Sequence, residues 1–274
     1  MHQYASEVIE YIYAQTESEV HRKEMVHAFY GQYFILLKQM DDVTDKDKVA
    51  LTTSTTTSSL AQFCEKKPQL ADQILEKIEG IVQKLVEKGM SRHSIVQAII
   101  ADYLLCQKDL LKVKWLAESM KENLPSLLAS KQGLVVACIL FNVLDAKDRK
   151  LVVKSIQEPL KEMVTNKVAH LFLVHVLNNL DDTVVSKKKI LNDILLTVDE
   201  NISDKCFATI FLGIYAPNSK RYFQQEEIDA FEAMQEHTTS KKDPAVRRLE
   251  LMNICTKPLE TFFEENMLWY LMDT

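Results

Sequence analysis

Lys131-Gln132-Gly133-Leu134-Val135-Val136-Ala137 is one of five variants of a single helix start spread along the chain. The others are Gln3-Tyr4-Ala5-Ser6-Glu7-Val8-Ile9, Arg92-His93-Ser94-Ile95-Val96-Gln97, Lys167-Val168-Ala169-His170-Leu171-Phe172 and Lys205-Cys206-Phe207-Ala208-Thr209-Ile210-Phe211. Their anchoring apolar positions are Val8, Val96, Val136, Leu171 and Ile210, and the last four are 40, 35 and 39 residues apart. Such a period holds two or three helices per unit. A unit of that size cannot bury its apolar face alone, so stacking on its neighbours yields an all-α fold, a curved α-solenoid. The gap between Val8 and Val96 has room for one degenerate unit, around Tyr30-Gly31-Gln32-Tyr33-Phe34.

Helical periodicity continues between these starts. Leu70, Ile74, Leu75, Ile78, Ile81, Val82, Leu85 and Val86 recur at three- and four-residue steps and give a helix one buried stripe. Asp145 with Asp148 marks a helix N-terminus, Ser91 precedes the Ile95 stripe in a similar way, and Pro125, Pro159, Pro217 and Pro258 fall near changes of segment. Residues 41–59, which include Thr52-Thr-Ser-Thr-Thr-Thr-Ser-Ser59, are too polar for a stable helix and read as a solvated linker. The expected organisation is repeat structure over 1–40, the linker at 41–59 and degenerate repeats over 60–274.

Composition agrees and removes several functional classes. The 274 residues include only 5 Gly and 6 Pro, about 4% together against roughly 12% in an average soluble protein. The glycines stand alone, so the chain has neither a dinucleotide-binding G-x-G-x-x-G nor a Walker-type loop. No apolar stretch is long enough to span a bilayer, and none points to a membrane partner. The five cysteines are dispersed, with no C-x-x-C pair, which suits reduced thiols in a cytosolic or nuclear protein and makes zinc a poor reading.

Catalytic chemistry has little to work with. His21 and His27 are six residues apart and His170 and His175 five, so neither pair has the i, i+4 spacing of a helical zinc site. Asp181 and Asp182, being adjacent, point to different helix faces, and no serine sits in a nucleophile elbow. The expectation is a protein that is not an enzyme and needs no cofactor. Cations, in contrast, come in clusters: Lys147, Arg149 and Lys150; Lys187, Lys188 and Lys189; Lys220 and Arg221; Lys241, Lys242, Arg247 and Arg248. Stacked at a constant offset, clusters from successive units would make one basic stripe for phosphates. The acidic pairs Glu226-Glu227 and Glu264-Glu265 would then lie elsewhere and account for the net charge of −6.

Several stretches, in this order and spacing, resemble the Penguin-like members of the pumilio-repeat superfamily, nucleolar relatives of the pumilio RNA-binding proteins. They are Gln3 to Tyr11; Tyr30-Gly31 with Phe34; Asp145-Ala-Lys-Asp-Arg-Lys150; His170-Leu171 leading to Asp181-Asp182-Thr183; and Ser240-Lys-Lys-Asp243 with Arg247-Arg248-Leu249-Glu250-Leu251. The resemblance implies a scaffold that binds RNA, and also DNA, with little sequence preference. It further implies nucleolar work in maturation of the large ribosomal subunit, beside pre-ribosomal particles or assembly proteins; the chain itself is expected to be a monomer. Family members are usually longer, and this chain looks like their C-terminal half.

In base-reading pumilio repeats, side chains of the second helix grip one base per repeat. The resemblance carries those roles onto Ser6, Glu7 and Glu10 in the first unit. Later units have Ser94, Ile95 and Ala98; Leu134, Val135 and Cys138; Ala169, His170 and Leu173; and Ala208, Thr209 and Leu212. Aliphatic side chains cannot specify a base edge, so the expected binding is to phosphates. The alternative is a protein-binding solenoid whose segment makes no nucleic-acid contact.

Overall fold

The computed structural model describes residues 3–38, 59–217, 219–224, 228, 231–232 and 238–272, and helices are the only regular secondary structure among them. The polar segment at 41–58 and the acids Glu226 and Glu227 lie outside the described residues. In chain order the helices are α1 (Gln3–Gln15), α2 (Glu19–Tyr30), α3 (32–38), α4 (Leu60–Lys66), α5 (Pro68–Glu87), α6 (Ser94–Cys106), α7 (Leu110–Met120), α8 (Lys131–Val143), α9 (Ala146–Ser155), α10 (Leu160–Met163), α11 (Ala169–Asn179), α12 (Thr183–Ser186), α13 (Asn192–Leu195), α14 (Val198–Asn201), α15 (Lys205–Tyr215) and α16 (Pro244–Met272). The five repeated helix starts therefore open α1, α6, α8, α11 and α15. Packing divides the chain into two compact units, Met1–Val113 and Lys114–Thr274.

In the first unit the helices before and after the polar segment share one core. Tyr30, Phe34 and Phe63 are buried, with Phe34 5.3 Å from the Tyr30 ring and 5.1 Å from the Phe63 ring. Between α2 and α3 stands Gly31 at φ +91°, a backbone conformation that side chains resist. A Cβ there would also come within 2.2 Å of the Lys77 ammonium. That one residue lets the chain break helix and return Phe34 to the core a turn later. α6 supplies the centre, with Ile95, Val96, Ile99, Ile100, Tyr103 and Leu104 all buried. Each such aliphatic side chain contributes about 1.5–3 kcal/mol before the cost of ordering the chain.

Two boundary expectations differ from what is seen. Ser91 lies in a short turn, and the N-cap of α6 is His93, which has no side-chain capping bond. Pro258 sits inside the 29-residue α16 rather than at its edge. Among the anchoring positions Val96, Val136, Leu171 and Ile210 are buried, but Val8 is 59% exposed. Val8 shares a face of α1 with Tyr4 and Tyr11, also exposed, whereas another face of the helix meets α6.

In the second unit α11 packs between α8 and α15. Phe141 of α8 meets Phe172 of α11 edge-on at 6.0 Å, an arrangement aromatic quadrupoles favour. On its other side α11 lies so close to α15 that a Cβ on Gly213 would be 2.5 Å from Val174 Cγ1. The helix starts are capped by short polar side chains that accept early backbone N–H groups: Ser130 from Gly133, Asp145 from Asp148, Asp182 from Val185 and Asp204 from Phe207. Between α12 and α13 the backbone widens into a π turn at Lys187–Leu191, which turns the three lysines outward while Ile190 and Leu191 stay buried.

Candidate nucleic-acid interface

The first unit's positions expected to face a base are committed to protein contacts. Glu10 Oε1 accepts the Ser94 amide at 2.8 Å and the Ser94 hydroxyl at 2.6 Å, while Oε2 accepts the Ile95 amide at 3.2 Å. Its carboxylate therefore supplies the cap that His93 lacks, with the negative charge set against the positive end of α6. Ser6 is buried, and Glu7 lies 3.6 Å from Arg92 and 4.0 Å from His93. The expectation that Ser6 and Glu10 present themselves to a base is corrected: one is inside the packing and the other holds a neighbouring helix. In later units Ile95, Ala98, Leu134, Cys138, Ala169, His170, Leu173 and Thr209 are buried as well. His170 Nδ1 is 2.8 Å from the Asn166 carbonyl.

Two of the predicted phosphate contacts are corrected too. Arg149 is 2% exposed, and its guanidinium donates to the carbonyls of Phe141 at 3.1 Å, Asn142 at 2.6 Å and Asn179 at 3.0 Å, and to the Thr239 hydroxyl at 2.8 Å. Phe141 and Asn142 are near the C-terminus of α8 and Asn179 ends α11, so one cation caps two helix ends whose carbonyls have no intrahelical partner. Arg247, 3% exposed, donates to the Asn178 carbonyl, the Ser240 hydroxyl, the Lys242 carbonyl at 3.0 Å and Asp181 Oδ1 at 2.9 Å. The two arginines thus serve adjacent carbonyls at the end of α11.

Asp181 is the counterpart of these cations. It accepts from the Ser240 hydroxyl and from the amides of Lys241 at 3.0 Å and Lys242 at 3.3 Å, in addition to Arg247. Burial works against its ionisation, but the Lys241 amide, the Ser240 hydroxyl and the Arg247 guanidinium together outweigh it and hold the carboxyl down at about 2. The charged stretches 145–150, 181–183 and 240–247 therefore meet in one clasp that fastens the start of α16 to the ends of α8 and α11.

Of the remaining cations, Lys150 pairs with Asp182 at 2.6 Å, and Lys242 pairs with Glu250, which also accepts from Thr183. These two pairs line a cleft of about 470 Å³ together with Ala146, Leu180 and Val184. Lys147, Lys187, Lys188, Lys189, Lys220, Arg221, Lys241 and Arg248 are exposed. The lysines of the π turn, Lys147, Lys241 and Arg248 make no side-chain ion pair with a described residue, so the arrangement can neutralise phosphates at low cost in desolvation.

The sequence carries a signal that separates buried from exposed cations. Arg149 is in helical phase with Val152, Val153 and Ile156, and Arg247 with Leu251 and Cys255, all buried. An arginine at i of an i, i+3, i+4, i+7 apolar set faces the core. Lys147 and Arg248 are out of that phase and lie outside.

The CPL (NUC119) domain family matches residues 203–274. Pumilio homolog 3 of Homo sapiens is 24% identical over 275 aligned residues, covering 99% of this chain and 40% of that protein. Pumilio homology domain family member 6 of Saccharomyces cerevisiae is 24% identical, covering 92% of this chain and 36% of the yeast protein. The chain thus spans about two fifths of the length of these relatives. Among solved structures, human Puf-A in complex with DNA superposes with a TM-score of 0.82 at 22% identity, over 97% of this chain and 50% of that one. The α-helical fold shared with human Puf-A, the CPL match over 203–274 and the likeness to these relatives along nearly the whole chain agree: the chain is similar to the Penguin-like pumilio proteins, and its residues 203–274 match their CPL domain.

Proposed function

We propose that this chain binds RNA or DNA through phosphates, without reading sequence, and serves as an assembly factor in maturation of large-subunit pre-ribosomal RNA in the nucleolus. The observation that carries the reading is the run Lys187-Lys188-Lys189, turned outward by a π turn and unpaired among the described residues. Burial or engagement of the base-facing positions supports binding without sequence preference. The names of the relatives and the DNA complex of human Puf-A support nucleic acid as the ligand. Lys147, Lys241 and Arg248 are further phosphate contacts, and contacts with assembly proteins accompany them.

A salt series tests this. Several unrelated RNA and DNA oligomers should bind with similar affinities and a steep dependence on salt. The triple substitution K187A/K188A/K189A should lower the slope by about 2–3, since each phosphate contact contributes roughly 0.7–0.9. A slope unchanged by the triple substitution would remove the π turn from the interface. The second reading, a protein-binding scaffold, is favoured by the neutralised cleft, where Lys150 and Lys242 are held by carboxylates, and by the net charge of −6. Absence of binding at low salt would select it.

A further inference from the structure

Cys64 and Cys106 are 42 positions apart in sequence, yet α4 packs on α6 and their thiols share a hydrogen bond. Both are half-buried, so a small oxidant reaches them, whereas Cys138 and Cys255 are enclosed and Cys206 lies in the other compact unit. Cys106 is the last residue of α6, and Cys64 lies in the seven-residue α4, pinned by buried Leu60 and Phe63. Two hydrogen-bonded thiols on packed helices are placed to approach the geometry of a disulfide.

We propose that Cys64 and Cys106 form a reversible disulfide when the protein meets a peroxide, making the first unit a redox-sensitive element. The two thiols are not equivalent. The hydrogen bond from Cys106 holds Cys64 below the ordinary thiol value, while that same bond, burial and the nearby Asp102 push Cys106 well above it. Cys64 is therefore the attacking sulfur. Its thiolate attacks one peroxide oxygen, the O–O bond breaks, and the departing hydroxide takes a proton to become water, leaving a sulfenic acid. The Cys106 sulfur then attacks Cys64 Sγ, its proton leaves with the displaced hydroxyl as a second water, and the S–S bond forms. Two thiols have lost two electrons to one peroxide. The product brackets α5 and fastens α4 to α6.

The test treats the full chain with hydrogen peroxide, alkylates it, and counts thiols after denaturation. The count should fall from five to three, with Cys64 and Cys106 recovered in one cross-linked pair that dithiothreitol releases. C106S should leave a Cys64 sulfenic acid that dimedone traps, and C64S should leave Cys106 unoxidised at the same dose; unchanged circular dichroism shows that both variants fold. Retention of five thiols, loss confined to Cys206, or a linkage between two molecules would overturn the proposal.

Discussion

Replacing Arg149 by alanine separates its role as a helix cap from a role in binding. In the variant Asn142 O keeps the amide and hydroxyl of Thr239, each at 3.0 Å, but Phe141 O and Asn179 O lose the guanidinium. Stranding a buried acceptor costs about 1–3 kcal/mol, more where the lost donor was charged, so two carbonyls account for roughly 2–6 kcal/mol. Loss of the cation at two helix C-termini adds to this, and the relief of an unfavourable burial of charge subtracts from it. A net loss of about 4 kcal/mol follows. For a unit of this size that lowers Tm by roughly 8–16 °C. Thermal unfolding followed by circular dichroism should show it, with Arg149→Lys intermediate because an ammonium lacks the fork that spans both helix ends. Lys147→Ala, on the same helix but exposed, should change stability by about 0.5 kcal/mol or less. At temperatures where the alanine variant is folded, its affinity for nucleic acid should equal that of the parent. A variant with unaltered Tm but a shallower salt dependence would refute the capping argument and return Arg149 to the phosphate contacts.

Glu10→Ala should destabilise the first unit by about 0.5–2 kcal/mol through loss of the α6 cap, measured by urea unfolding, and should leave oligomer preference flat. Gly213→Ala should cost about 1–3 kcal/mol, because Val174 must move or α15 must back away from α11. His175 is enclosed with Nε2 3.0 Å from Asn142 Oδ1, and burial lowers its pKa to about 3. The unfolded chain then binds a proton that the folded one refuses, so this contribution is intact above pH 6.5 and is lost progressively as the pH falls toward 3, by about 4–5 kcal/mol in all. His175→Gln should flatten the stability profile between pH 6.5 and 4, where His27, lowered by burial to about 4, leaves a smaller slope.

The stacked helices were legible because each carries its apolar phase within a dozen residues, and all five repeated starts became helix starts. Val8 carries the same local pattern yet is exposed, since burial of a stripe requires a neighbour that periodicity does not specify. The cation clusters were legible as charge but not as roles. Lys147 and Arg149 differ only in helical phase, and one is solvated while the other ends two helices. Glu10 and Ser94 are 84 positions apart and Cys64 and Cys106 are 42, and no local pattern announces such meetings. Asp181 gave the opposite lesson: in sequence it is half of an acidic pair, whereas in the fold its partners are hydroxyl, amide and guanidinium groups from a segment some sixty residues later.

The clasp at the end of α11 bears on where this protein can be cut. The family match begins at residue 203, but Arg149 reaches Thr239, Asp181 holds Ser240, and Val174 fills the space beside Gly213 across that border. The stretch that the CPL family matches is thus shorter than the stretch these contacts tie together. A chain severed at 203 would leave Arg247 without the Asn178 carbonyl and Asp181, and would expose the apolar side of α15 that α11 covers. A domain excised at the boundary of the family match would therefore behave as a fragment.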